Sequence, residues 1–200
     1  MRFALVVGMV CATVAGGPEA AAQKPTKEFR QGFEQVFTPP RLGHDFGAFA
    51  VLTADDVPTV SRYGSLRSAE DQQGFVTVRA DVVEGRLSYD TEAFARNPLG
   101  VLLKRGEVVG LVHVGYGKGT VELNFEARRK LDVTRAELGD PTALHREDEA
   151  CTTVLRFRLP AHLPQPLTAA EVPAALEYVG GFLKAFPDEA AARAYSRSLR

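Results

Sequence analysis

"HVGYGKGTVEL", residues 113–123, places three glycines about a lysine between two apolar runs, and its reading decides the fold. If it is a phosphate-binding loop, the chain is built on a strand, a loop and a helix. If it is a tight turn, the flanking runs are paired strands. A Walker loop needs a glycine, four residues, then Gly-Lys-Ser/Thr opening a helix, so that backbone amides and the helix start surround the phosphate. Here Val112 stands where the first glycine belongs, Gly119 separates Lys118 from Thr120, and a strand-like alternation follows. A dinucleotide fingerprint fails too, because Thr120 takes the place of its third glycine and no helix lies beyond. With Gly117 and Lys118 as the two turn residues, Val114 faces Val121, Val112 faces Leu123 and Gly110 faces Phe125. The other side then pairs His113 with Glu122 and Leu111 with Asn124. A loop one residue longer would set Val114 against Glu122 and spoil the apolar face, so register selects the shorter loop, with a glycine at its first central position.

The same alternation extends on both sides of this hairpin. In "VLLKRGEVVGLVHV" a turn centred on Arg105 and Gly106 sets Lys104 opposite Glu107 and Leu103 opposite Val108. The strand after it is apolar on both sides, as expected of a central strand covered on both faces. In "FVTVRADVVEGRLSY" the period of two and a turn at Glu84 and Gly85 pair Val82 with Leu87 and Ala80 with Tyr89. "AFAVLT" reads as a short strand, and the stretch after it, carrying Pro58 and Gly64, as short helical turns and a loop. "DTEAFARNPLG" offers at most a short helix before Pro98. Thr134 can cap another ending near Gly139, and "TVLRFRLP" is the last strand of the meander.

Helices flank the strands. Phe29, Phe33, Val36 and Phe37 gather on one side of a helix capped by Thr26 and stopped at Pro39 and Pro40. Thr168 and Glu171 form a capping-box signature for a helix carrying Val172, Leu176, Val179, Leu183 and Phe186, in which Gly180 and Gly181 mark close packing or a break. Asp188 starts a final helix with Arg193, Arg197 and Arg200 along one stripe. The expected fold is α+β: an antiparallel β-sheet meander over about residues 48 to 159, with one N-terminal helix and two C-terminal helices.

The first residues carry an address. A basic start at Arg2, an apolar segment short for a membrane span and the small residues up to Ala22 form a secretory signal pattern. Cleavage there leaves residues 23–200 as a single globular domain, with a C-terminal helical segment 168–200 and no transmembrane span; an uncleaved anchor is the alternative. At 45% hydrophobic content the domain can bury a core, and a net charge of −1 gives no field to hold nucleic acid. Removing the signal removes Cys11, leaving Cys151 without an intramolecular partner. A buried small hydrophobe and an intermolecular disulfide joining a homodimer are its two readings.

The candidates for chemistry are few. His113 and Glu122 could work as an acid and a base, although a cross-strand polar pair is their ordinary explanation. "HREDEAC", residues 145–151, holds metal-ligand residue types in what reads as a solvated acidic loop, and no metal or cofactor is assigned. His44 and Asp45, between glycines in a loop, form the surface candidate for a ligand or partner contact. The aromatic face of Phe29 and Phe33 docks either on its own domain or on a partner. No Gly-x-Ser-x-Gly elbow or Ser-x-x-Lys occurs. These features point to an exported, non-enzymatic periplasmic or extracellular protein that binds a ligand or a partner of the cell envelope. A small exported hydrolase with a dispersed site and a metal-binding envelope protein are the alternatives.

Overall fold

The computed structural model describes residues 23–63, 78–96, 100–134 and 144–199. In chain order they form α1 (Lys27–Glu34), β1 (Phe49–Leu52), β2 (Val57–Tyr63), β3 (Arg79–Val83), β4 (Arg86–Ser88), α2 (Thr91–Arg96), β5 (Gly100–Leu103) and β6 (Val108–Gly117). β7 (Thr120–Thr134), β8 (Leu144–Arg158), α3 (Val172–Gly180), β9 (Leu183–Phe186) and α4 (Glu189–Ser198) follow. The fold is α+β, with a strongly curled sheet ordered β4-β3-β8-β7-β6-β1-β9 and β2 joining β8 to β5. The sheet is mixed, which corrects the expectation of a purely antiparallel one. β3 runs parallel to β8, from Arg79 opposite Val154 to Val82 opposite Phe157. Alternation decides which side chains face the core but is silent on the direction of the neighbouring strand.

Residues 113–123 do form a hairpin, its turn one residue later than expected and its pairing therefore shifted by two. The turn residues are Lys118 and Gly119, with positive φ (63°) at Gly119, and Val114 opposes Leu123 while His113 opposes Asn124. A shift of two keeps the same faces together, and farther from the turn a bulge lies between Leu111 and His113. Apolar residues of β6 point inward at odd positions before it (Val109, Leu111) and at even positions after it (Val114, Tyr116), and the extra residue reconciles the two phases. Val112, expected in the apolar face, is left 38% exposed. Gly110 is covered by the ring of Phe46 rather than Phe125: a Cβ built there would stand 2.4 Å from Phe46 Cδ1.

Three further corrections share a cause, which is that partner choice is made at long range. The Arg105–Gly106 turn closes with the Glu107 amide donating to the Lys104 carbonyl, yet β5 pairs with β2 while β6 pairs with β1 and β7. The stretch read as helical turns contains β2; Pro58 is tolerated because only β5 flanks it there, β8 joining from Val60 onward. "HREDEAC" lies within β8, paired to β7 without a break from Thr134 opposite Leu144 to Thr120 opposite Arg158. The suggested helix from Thr134 towards Gly139 falls mostly outside the described residues, and Thr134 itself is in β7. By contrast the Glu84–Gly85 turn, both residues at positive φ, sets Val82 opposite Leu87 in the expected register.

The inner face of the sheet carries the core. Thr26 caps α1 by accepting from the Phe29 amide, and Phe29, Phe33 and Phe37 stack in sequence with ring centroids 6.0 and 5.2 Å apart. Tyr116 meets Phe29 and Phe33 edge-on, and its hydroxyl donates to the Glu34 carboxylate. Burial and that carboxylate push the Tyr116 hydroxyl's pKa up. The capping box at Thr168 forms and leads through a short 3-10 turn into α3, which ends at the glycine pair. Leu183 and Phe186 therefore sit on β9, antiparallel to β1 with Phe186 opposite Phe49, and not on a helix. Asp188 caps α4, which packs on β1 and β6, and Ser196 donates to the Gly106 carbonyl. Cys151 is buried in β8 opposite Ala127, so an intermolecular disulfide has no surface thiol to use. No helix among the described residues is long and apolar enough to cross a membrane.

Candidate functional site

The turn's position sets His113 opposite Asn124 and Glu122 opposite Gly115, yet both side chains reach the same spot. His113 Nε2 and Glu122 Oε2 stand 3.8 and 3.6 Å from where a Cβ at Gly115 would be. The bare glycine thus leaves a small recess between an imidazole and a carboxylate on the outer face of the sheet. Glu122 in turn opposes Arg156 of β8, and Arg156 opposes Asp81 of β3. Asp81 accepts two guanidinium hydrogen bonds, from Arg156 Nε and Nη2, each at 2.6 Å. This bidentate clasp holds the Asp81 carboxyl below its ordinary pKa of 3.8 and raises that of Arg156.

The clasp is a stability element with a pH signature. At neutral pH, Asp81→Asn is expected to cost about 1–2 kcal/mol, less than a fully buried charged hydrogen bond because both side chains are about a quarter exposed. The folded pKa lies below the unfolded one, so the contribution is complete above the unfolded value and is lost as pH falls through the folded value. Urea titrations at about pH 7 and about pH 2 check this. The two proteins converge in acid, and a gap that persists there assigns the loss to something other than the carboxylate charge.

His44 and Asp45 lie on the exposed α1–β1 loop with different partners. Asp45 accepts from Arg128 Nη2 at 3.1 Å, while Arg128 also donates to Glu126 and lies over the Phe46 ring at 4.7 Å. Asp45 therefore tethers the loop to β7 and is not coupled to His44. His44 lines a groove of about 500 Å³ with Arg41, Val36 and Phe186. Phe29 and Phe33 are fully buried against their own sheet and offer no surface to a partner, because an eight-residue helix needs that apolar face to dock. Among the described residues no group of three or more His, Cys, Asp or Glu is placed to hold a metal ion.

A cleft of about 1010 Å³ opens between the β6–β7 turn and the loop from Leu159 to Gln165. Its far wall is held in place by the Leu159 amide donating to the Gly119 carbonyl and by buried Leu163. Arg156 and Arg158 line it together because they are two residues apart on β8, opposite Glu122 and Thr120. Lys118 at the turn, Glu122, His162 and Gln165 complete its polar lining. Lys118 and Arg158 form no ion pair among the described residues, although Arg158 is near enough to feel the charge of Asp81. The Gln165 side-chain oxygen is buried without a hydrogen-bond partner. The sequence signal was present in the Arg-Phe-Arg alternation at 156–158 and in Lys118, but nothing in it folds residues 159–165 back over them. The chain matches no protein-family model, no curated protein and no solved structure.

Proposed function

We propose that the chain is an exported, single-domain binding protein, with residues 1–22 as its signal and 23–200 as the mature domain, and that its ligand occupies the cleft beneath the β6–β7 turn. One observation carries this reading. Polar side chains from a turn, two strands and a loop converge on one concavity of about 1010 Å³, the size and construction of a small-molecule site. Two of them, Lys118 and Arg158, form no ion pair among the described residues.

The test is an amide chemical-shift survey of the protein purified from an exporting host. Sugars, amino acids, organic acids and phosphate esters are added in turn. At least one class is expected to shift Gly117, Gly119, Leu163 and Gln165 together. A survey in which every class leaves these four amides unmoved overturns the assignment of the cleft.

A further inference from the structure

We infer that the ligand of this cleft is a small organic oxyanion, a phosphate or carboxylate compound, held by Lys118 and Arg158. The inference rests on the cleft being the ligand site and adds the chemistry of what enters it.

Three cations and one carboxylate line the cleft. Arg156 is largely committed, two of its three donating nitrogens being bonded to Asp81. Counting Asp81 with the lining still leaves one net positive charge, located at Lys118 and Arg158. Arg158 belongs to the β7–β8 ladder's last pair, opposite Thr120, and Lys118 lies on the turn that leads into Thr120. The facing wall is Leu159, Pro160, Leu163 and Pro164, apolar groups that offer the cations no counter-charge. An arginine fork and a lysine ammonium are the groups that best hold phosphate or carboxylate oxygens. A bare inorganic ion would fill little of about 1010 Å³.

Calorimetric titration of the full chain with glycerol 3-phosphate, gluconate and glucose tests the assignment, the first two separating phosphate from carboxylate and the third being a neutral polyol. Binding of glycerol 3-phosphate or gluconate is expected, weakening several-fold between about 20 mM and about 200 mM salt as screening grows. Arg158→Gln and Lys118→Gln should each weaken it about tenfold or more. Arg96→Gln, which removes an exposed cation on α2, should not. Glucose binding at the cleft amides as strongly as gluconate, unaffected by Arg158→Gln, overturns the anion assignment and leaves the cleft as a ligand site. If none of the three moves those amides and the wider survey is also silent, the cleft reading falls as well.

Discussion

Phe33→Ala is expected to remove about 3–5 kcal/mol from the stability of the folded chain. Phe33 has no exposed surface and lies between two stacked rings, with Tyr116 edge-on at 6.4 Å. Truncation strips the transfer free energy of a whole ring and leaves a cavity that its aromatic neighbours cannot close by small movements. The helix that carries it is also vulnerable. At eight residues α1 is too short to persist by itself, so loss of its central anchor should loosen Phe29 and Phe37 with it. Urea denaturation followed by circular dichroism measures the effect. A loss below about 1 kcal/mol would mean that α1 is not docked on its own sheet in solution.

Gly47→Ala should be nearly as damaging, at about 3 kcal/mol or more, for the opposite reason of too many atoms. A Cβ built at Gly47 stands 2.0 Å from the Thr38 carbonyl oxygen and 2.5 Å from the Pro39 carbonyl carbon. Both are backbone atoms, so no rotamer change relieves the overlap. The two segments are also bound together by the Ala48 amide donating to Thr38 at 2.7 Å, while the Gly47 amide donates to Leu111 of β6 at 2.9 Å. Forcing them apart sacrifices those bonds and the seat of Phe46 on Gly110. For a chain of this size the midpoint of thermal unfolding should fall by roughly 6–12 °C. A fall of only one or two degrees would show that the loop has room to yield.

How far the sequence could be read depended on whether a feature was local. The Glu84–Gly85 turn was legible because two residues at positive φ and an alternating pattern agree within a dozen positions. The Arg105–Gly106 turn was legible for the same reason, but the ladder beyond it was not. Pairing β5 with β2 and β6 with β1 is settled between segments far apart in the chain. The 113–123 turn lies one residue beyond the place that alternation selects, because a two-residue shift of pairing keeps the apolar residues on the same face; the bulge beyond it was signalled by the phase change between Leu111 and Val114. Leu183 and Phe186 fit a helical spacing as well as a short strand, and only the break at Gly180 and Gly181 distinguishes them. At the candidate site the cations could be read from the sequence, while the concavity they face could not. That hollow depends on where residues 159–165 turn, and their prolines signal a bend without its direction.

The ladder between β1 and β9 joins Phe49 to Phe186 and Leu52 to Leu183. A chain that emerges N-terminus first, from a ribosome or through a pore, must therefore hold β1 without its outer neighbour until almost all of the remaining sequence has appeared. The Thr26 amide waits similarly for the Leu167 carbonyl. Such long-range closures are entropically slow and come late in folding. Until then Val51 and Leu52 present an open strand edge to whatever is nearby, and this is the interval in which the protein is most exposed to mispairing or to capture by a chaperone.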